Sequence, residues 1–303
     1  MLYLVLLLNF QFSFANEIDK LTTTEDVVAF VRKVNPDFAN DKFEIRPTEV
    51  IAKDLACGGI FKDWSIRNWE KADLNNDGLT DLLIMPYRGG YQSYVIIDKG
   101  NSEFKLHQVS RSSFEDCELS KPLRIGDRNY LRIYQKSLEL ISLTDEKEVI
   151  LVDTLTFKFD ELIELNDQAA DYRIRSVELR RTSSEIGPPV FLLKINSRGD
   201  TEYDRETFFV YKGKEVSTFP KGIFKKDLGR DAFTGLEELL RYIRVKELKN
   251  SYSVPWFHAG TGTLIVKFES GEVTTISDYG LQGTFGLMAV YSRLTEIATK
   301  TEW

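Results

Sequence analysis

The sequence predicts an α+β fold: a β-rich N-terminal domain with a calcium-loop hairpin, followed by an α+β domain of antiparallel sheet with two helices. Three observations predict this. Short runs of alternating apolar and polar residues, typical of half-buried strands, recur along the 303 residues. Two later segments repeat apolar residues at helical spacing. A polar, small-residue stretch near residue 166 separates domains at 16–166 and 167–303.

The first fifteen residues have the composition of a secretory signal peptide. An apolar run from Leu2 to Leu8 is followed by Ser13-Phe14-Ala15, small residues where signal peptidase cuts. The segment contains no Lys or Arg, and a buried N-terminal strand is the alternative. Because no other run approaches the ~20 apolar residues of a membrane helix, we expect no transmembrane span. The mature chain should be exported, either periplasmic or secreted.

The net charge of −7 makes nucleic acid a poor partner, because phosphate-binding surfaces need basic charge. The nearest basic group is Arg173, Arg175, Arg180 and Arg181. These arginines alternate along a predicted strand with Glu178 among them, which favours a solvated sheet face.

The predicted elements of the first domain begin with an amphipathic helix at Thr24–Val34. A shorter helix is predicted around Glu49–Leu55. Strands are predicted at Trp69–Ala72, Asp81–Pro86, Tyr91–Asp98, Phe104–Val109, Tyr130–Tyr134 and Val149–Phe157.

The chain contains two cysteines, Cys57 and Cys117. In an oxidising compartment a lone pair favours a disulfide. A catalytic or metal-binding role is the weaker alternative, because neither cysteine has C-x-x-C spacing.

The segment Asp73–Asp81, which we call the acidic loop, reads DLNNDGLTD. It places carboxylate or amide oxygens at relative positions 1, 3, 5 and 9 around a glycine at position 6. Calcium takes six to eight oxygens, and alternate side chains of a tight loop can supply them. The spacing predicts one calcium ion held by the side chains of Asp73, Asn75, Asp77 and Asp81 and by the Leu79 carbonyl.

The acidic loop resembles the calcium loop of the integrin-type FG-GAP repeat, an Asp-x-Asp-x-Asp-Gly-x-x-Asp loop within a β-hairpin. The resemblance covers residues 69–88. An EF-hand would place a bidentate Glu where this chain has Ile84. Because the chain holds one copy and propellers need several, the resemblance implies a hairpin and its ion but no propeller. A metal-free turn is the alternative, since Asn76-Asp77-Gly78 is also a turn sequence.

The second domain is predicted to be a sheet with two helices on one face. Strands are predicted at Ile174–Arg181, Val190–Asn196, Thr201–Tyr203, Thr207–Tyr211, Thr263–Phe268 and Val273–Ile276. One helix is predicted to begin at a cap formed by Asp231, and the last helix to run from about Phe285 to Thr299.

Several short motifs of this domain occur in a fixed order. They are Leu179-Arg180-Arg181-Thr182, Gly187, Pro189, Ser197-Arg198-Gly199-Asp200, Tyr203 and Asp278-Tyr279-Gly280. Residues 172–300 thereby resemble a bacterial domain-of-unknown-function family of exported proteins. That family carries a Cys-Phe-Gly-x-Cys-Pro segment, and both cysteines are absent from this chain. The resemblance implies a fold and an exported setting, and it weakens any activity that rests on those thiols.

The sequence contains no G-x-S-x-G and no H-E-x-x-H motif, and its two histidines are His107 and His258. His258 lies in a glycine-containing segment followed by a strand, which favours a turn over a phosphate loop.

Aromatic residues surround the acidic loop: Trp64, Trp69, Tyr87, Tyr91 and Tyr94. They could form a binding strip for peptide or glycan, or they could be part of the core. Their place among predicted strands favours the core.

Taken together, these features predict an exported bacterial protein, a calcium-stabilised binding or structural module of the cell envelope. Its partner would be an envelope protein, a peptide or a glycan. The alternative is a carboxylate-dependent hydrolase acting on an extracellular substrate, for which no particular pair of acids stands out.

Overall fold

The structure is a computed structural model that describes residues 16–39, 43–110, 117–140, 146–182, 190–205, 210–211, 214–215 and 222–303. These residues confirm the predicted α+β, β-rich class. The predicted signal peptide, part of the strand predicted at Thr207–Tyr211 and residues 183–189 lie outside the described residues. Within the described ranges, no helix has the length and apolar character needed to cross a membrane.

The α-helices of the described residues lie close to the predicted positions, except the third, which was not predicted. They are Thr24–Val34 (α1), Thr48–Asp54 (α2), Gly58–Asp63 (α3), Arg230–Tyr242 (α4) and Phe285–Lys300 (α5). A capping box fixes the start of α1, because Thr23 and Asp26 each bond the backbone N–H of the other. The cap predicted at Asp231 is wrong: Gly229 holds that position and Asp231 lies in the first turn.

The first sheet contains four antiparallel strands in chain order. They are Trp69–Ala72 (β1), Asp81–Ile84 (β2), Tyr94–Asp98 (β3) and Phe104–Gln108 (β4). Alternate β2 residues point to opposite faces: Leu82 and Ile84 pack in the core with α1, and Leu83 packs toward the second sheet. Both faces are therefore covered, which explains why Leu82, Leu83 and Ile84 are all apolar.

The second sheet also contains four antiparallel strands in chain order. They are Cys117–Ile125 (β5), Arg128–Leu140 (β6), Glu146–Lys158 (β7) and Glu161–Glu164 (β8). The predicted disulfide is confirmed: Cys57 and Cys117 are bonded, with 5.8 Å between their Cα atoms. The bond links the segment between α2 and α3 to β5 across 60 residues. A loop of this length stabilises the fold by about 4 kcal/mol in the chain-entropy model.

The third sheet has seven strands in the order β14-β11-β10-β9-β16-β17-β15. The strands are Ile174–Arg181 (β9), Phe191–Asn196 (β10), Asp200–Arg205 (β11), Gly222–Asp227 (β14), Ser251–Ser253 (β15), Thr261–Phe268 (β16) and Val273–Tyr279 (β17). A separate pair consists of Val210–Tyr211 (β12) and Lys214–Glu215 (β13). Helices α4 and α5 share one core with the sheet, in which Leu236 and Leu294 pack with Leu179 and Leu264.

The two halves meet where β8 reaches the start of α5. Ile163 of β8 packs in the core of the third sheet, and Phe285 of α5 packs in the core between the first two sheets. The Glu164 carboxylate accepts hydrogen bonds from the backbone N–H of Phe285 at 2.6 Å and of Gly286 at 2.8 Å. A carboxylate at this position satisfies two of the free N–H groups that begin a helix.

Candidate functional site

The acidic loop connects β1 to β2 and folds around its own side chains. The Asp73 carboxylate accepts hydrogen bonds from the backbone N–H of Asp77 at 3.1 Å and of Gly78 at 2.9 Å. Asn75 Oδ1 accepts from the Asp77 N–H at 3.1 Å, and Asp77 Oδ1 accepts from the Leu79 N–H at 2.8 Å. Asn75 Nδ2 also donates to Asp77 Oδ2 at 2.7 Å. The structure thus brings three predicted ligand side chains together at the exposed end of the hairpin.

The acidic loop also rests on the second sheet. Asn76, whose φ of 59° is left-handed, donates from Nδ2 to the Asn129 carbonyl at 2.9 Å and accepts the Asn129 N–H at 2.8 Å. Asn129 Nδ2 in turn donates to the Asp73 carbonyl at 3.0 Å. Gly78 has a φ of 92° with open space around it, so its role is conformational. The loop therefore joins the first sheet to the start of β6.

Asp81 lies beneath the acidic loop with no exposed surface. Its Oδ2 accepts hydrogen bonds from the N–H of Leu74 at 2.7 Å and of Asn75 at 3.3 Å, and its Oδ1 accepts from the Asp98 N–H at 2.9 Å. Burial raises the pKa of Asp81 to about 7, the three N–H groups oppose this rise, and the Asp77 charge adds to it. Among the described residues, no basic side chain contributes to this shift.

The donor atoms of the acidic loop are of the kind that calcium prefers. They comprise carboxylate oxygens, an amide oxygen and main-chain carbonyls, and a carboxylate oxygen that accepts one N–H keeps a further lone pair. The described residues nevertheless contain no group of three His, Cys, Asp or Glu side chains arranged for a metal ion. Asp81 is bonded to N–H groups at the base of the loop, whereas Asp77 is exposed at its tip. The ligand chemistry fits calcium, with Asp73, Asn75 and Asp77 at the exposed end of the loop and Asp81 buried beneath them.

The aromatic residues near the acidic loop are divided between two cores. Trp69 and the buried Tyr94 belong to the core beneath α1. Trp64 and Tyr91 pack against the core around the disulfide. The guanidinium of Arg46 lies 3.5 Å from the centre of the Tyr87 ring. Four of the five aromatic residues therefore pack in or against a core, whereas Tyr87 lies beside Tyr91, with 5.2 Å between the ring centres.

Two carboxylates beside the start of α5 stand out in the structure, Asp278, which is fully buried, and Glu164, which is half-buried. Asp278 has no exposed surface, and it accepts hydrogen bonds from the N–H of Gln282 at 3.1 Å and of Gly283 at 2.8 Å. Glu164 holds the start of α5, and burial raises its pKa. Both carboxylates serve backbone N–H groups on either side of Thr284, the residue that caps α5. Sequence reasoning noted Asp278 only as part of Asp278-Tyr279-Gly280 and missed Glu164, whose partners are distant in sequence.

The two histidines occupy different environments. His107 is 6% exposed, and its Nδ1 lies 3.3 Å from Glu161 Oε2. His258 adopts a left-handed φ of 66° in the bend before β16, next to Phe257, which is 81% exposed. The position of His258 agrees with the predicted turn.

A shallow groove of about 530 Å³ runs along the face of the third sheet opposite α4 and α5. Four of its charged side chains pair with one another. Lys194 Nζ lies 3.9 Å from both Glu178 and Glu202, and Lys225 Nζ lies 3.2 Å from Glu202. The groove is therefore a polar face.

Of the four arginines predicted to lie on a solvated sheet face, Arg173, Arg175 and Arg180 are exposed. The prediction is wrong for Arg181, which is half-buried and donates to the Thr295 hydroxyl of α5 at 3.1 Å.

Comparison with known proteins identifies a family in the second half of the chain. A profile of the family described as a domain of unknown function (DUF6438) matches residues 175–298, from β9 to the end region of α5. This match confirms that the second half contains a domain of unknown function, as predicted. No curated protein and no solved structure shows a significant match.

Proposed function

We propose that this chain is an exported binding or structural module of the bacterial cell envelope in which one calcium ion fixes the acidic loop. The observation that carries the proposal is Asp81, a fully buried carboxylate beneath an exposed end that holds two further acids. A divalent cation at that end would favour the ionised form of Asp81 and offset the cost of its burial.

The ion would be held by the side chains of Asp73, Asn75 and Asp77 and by the Leu79 carbonyl. Asp81 already accepts hydrogen bonds from three N–H groups. We therefore propose that it does not ligate the ion directly and instead supplies a negative charge beneath it. Calcium needs six to eight oxygens, and water would complete the set.

A fixed acidic loop would hold three parts of the fold in place. The loop contacts Asn129 of β6, the Asp98 N–H at the end of β3 and, through the Thr80 carbonyl, the side chain of Asn16. An ion that stiffens the loop would therefore stabilise the packing of the first sheet on the second. Weak calcium sites of this kind suit an extracellular setting, where calcium is abundant. The disulfide and the predicted signal peptide support the same location.

The partner we propose is an envelope protein, a peptide or a glycan. The net charge of −7 argues against nucleic acid. A hydrolase with paired carboxylates needs an acid and a base that face a substrate. Because Glu164 and Asp278 bond backbone N–H groups instead, we favour the binding or structural role.

The test is calorimetric titration of calcium into chelator-stripped protein comprising residues 16–303. We expect saturable one-site binding in the wild type and none in Asp77→Ala. Asp63→Ala removes an exposed acid of α3 and serves as the matched control, so it should bind as the wild type does. Absence of binding heat in the wild type would contradict the proposal and leave the acidic loop a metal-free turn.

A further inference from the structure

A second cavity lies between the turn that joins β7 to β8 and the two long helices, α4 and α5. Its volume is about 350 Å³, within the ~300–1,000 Å³ range of small-molecule sites. Phe159, Leu239 and Ile297 supply apolar surface, and Ser292 and Arg293 supply polar groups. The cavity is formed by both halves of the chain, a place where binding sites often occur.

The turn on one side of the cavity is held in a demanding conformation. Phe159 and Asp160 both have left-handed φ values, 55° and 66°, which side chains other than glycine resist. Lys105 Nζ donates to the Asp160 carboxylate at 2.7 Å, and Lys99 donates to it as well. Burial raises the pKa of Asp160, but hydrogen bonds from the two lysines outweigh it and lower the pKa. The turn therefore forms one side of the cavity, and the negative charge of Asp160 is already paired with two lysines.

The other acids of the cavity also have basic partners. Glu161 lies 3.8 Å from Lys105 Nζ. Glu296 of α5 accepts a hydrogen bond from Lys300 at 2.7 Å. Each acidic side chain of the cavity is therefore paired with a lysine, and none of these pairs involves Arg293.

Arg293 is the charged group of the cavity that lacks an anion. It is half-buried, and within the described part of the chain it forms no hydrogen bond and no ion pair. Its guanidinium lies against Gly235 of α4, where an added Cβ would come within 2.5 Å of Nη2. Glycine inside a helix is less favourable than alanine, and here its absent side chain makes room for the guanidinium. A half-buried cation held in a prepared position is ready to receive an anion.

We infer that this cavity binds a small carboxylate with an apolar body. The carboxylate would pair with the guanidinium of Arg293, whose fork of N–H donors matches its two oxygens. The hydroxyl of Ser292 lies beside it in the lining, and the apolar body would contact Phe159, Leu239 and Ile297. Such a group occurs on a short fatty acid and on the C-terminus of a peptide.

The experiment compares ligands that differ only in their head group. Hexanoate, hexanol and hexylamine are titrated into the protein of residues 16–303. We expect hexanoate to bind at least tenfold more tightly than hexanol, because the alcohol leaves the guanidinium without an anion, and hexylamine to bind no more tightly than hexanol. Hexanol binding equal to that of hexanoate, or absent hexanoate binding, overturns the inference. N-acetylleucine serves as the peptide-like carboxylate, and its affinity relative to hexanoate identifies the source.

Two variants test the residues. Gly235→Ala displaces the guanidinium and should lose at least tenfold in hexanoate affinity, while the melting temperature stays level or rises by about 2 °C. Its matched control is Gly59→Ala, a helical glycine of α3 with open space around it. Arg293→Gln should lose hexanoate affinity to the same extent, with Arg230→Gln, an exposed arginine of α4, as control. Unchanged hexanoate affinity in Gly235→Ala or Arg293→Gln overturns the inference.

Discussion

Two fully buried aspartates, one in each half of the molecule, fold the loops beside them in the same way. Asp81 accepts hydrogen bonds from the N–H groups of Leu74 and Asn75 in the acidic loop. Asp278 accepts one from Gly283 in the segment before α5. In each case a buried carboxylate replaces the water that would otherwise bind the backbone of a loop.

The two aspartates differ in what surrounds them. Asp81 lies near a second acid, Asp77, and its pKa is raised to about 7 by burial and in part by that charge. Asp278 lies near the phenols of Tyr291 and Tyr252. Burial raises the pKa of both tyrosines, and the negative charge of Asp278 raises each pKa further. Neutral phenols add no repulsion, whereas neighbouring acids do. Under the proposed function, a cation would therefore offset a repulsion between acids that is present at the first loop and absent from the second.

The largest expected effect comes from filling space at the second loop. Gly283 is enclosed, and an added Cβ would lie 2.6 Å from Tyr252 Cγ and 2.8 Å from Asp278 Oδ2. Gly283→Ala should therefore reduce the free energy of unfolding by about 3 kcal/mol. Chemical denaturation measures this loss, which calcium should leave unchanged. A neutral substitution would show that the segment is loosely packed.

The next effect is the pH dependence of the first loop. The folded pKa of Asp81 is about 7 and its unfolded value is ~3.9, so the folded state binds this proton more tightly. The stabilisation is complete below the unfolded pKa and is lost as pH rises through 7. Between pH 5 and pH 8 the calcium-free protein should lose about 2.5 kcal/mol from this group.

Denaturation of the wild type and of Asp81→Asn at both pH values isolates this contribution, since other titrating groups are common to the two proteins. We expect the decline to be smaller in Asp81→Asn by roughly the amount given above. Equal declines in the two proteins would show that Asp81 titrates near its ordinary pKa.

Substituting Gly78 in the first loop should reduce the free energy of unfolding by less than substituting Gly283 in the second, because Gly78 is not enclosed. Gly78 has a φ of 92° and no atom within 4 Å of an added Cβ, so only the left-handed backbone opposes a side chain. Gly78→Ala should cost about 1 kcal/mol, and Gly78→Asn less, because asparagine tolerates this conformation better. Thermal unfolding of both variants checks the order, and a larger cost for asparagine would contradict it.

The last effect, similar in size to that of Gly78→Ala, concerns the contact between the acidic loop and the second sheet. Asn129→Ala removes one side-chain hydrogen bond, the one to the Asp73 carbonyl at 3.0 Å. The expected loss is about 1 kcal/mol. Calcium affinity should fall as well if the ion holds the loop in its docked position. Calcium titration of this variant at pH 8 measures how far calcium affinity depends on the contact between the loop and the second sheet. Unchanged affinity would show that calcium binding does not depend on this contact.

Sequence patterns predicted elements well where local signals were strong. The start of α1 matches the prediction, and there Thr23 and Asp26 form a capping box. Strands β5, β8, β13, β14 and β15 were missed, and all five lie at sheet edges. Edge strands carry weak patterns, since β5 contains Pro122 and β14 contains paired lysines. These segments become strands because they pair with a neighbouring strand in the folded protein, and the local sequence does not encode that pairing.

The candidate sites show the same limit. Ligand spacing predicted Asp73, Asn75 and Asp77 together, and the structure brings them together. Spacing alone does not tell whether Asp81 turns toward the loop tip or into the core. Glu164 was missed because its partner Phe285 is 121 positions away, a contact that the packing of β8 on α5 creates.

The central claim is that calcium in the acidic loop offsets the buried charge of Asp81. The most direct measurement is thermal unfolding of the protein of residues 16–303 at pH 5 and pH 8, each with chelator and with saturating calcium. The account predicts a clear rise in melting temperature with calcium at pH 8, a smaller rise at pH 5, and none at either pH in Asp77→Ala. Equal melting temperatures with and without calcium at both pH values would contradict it.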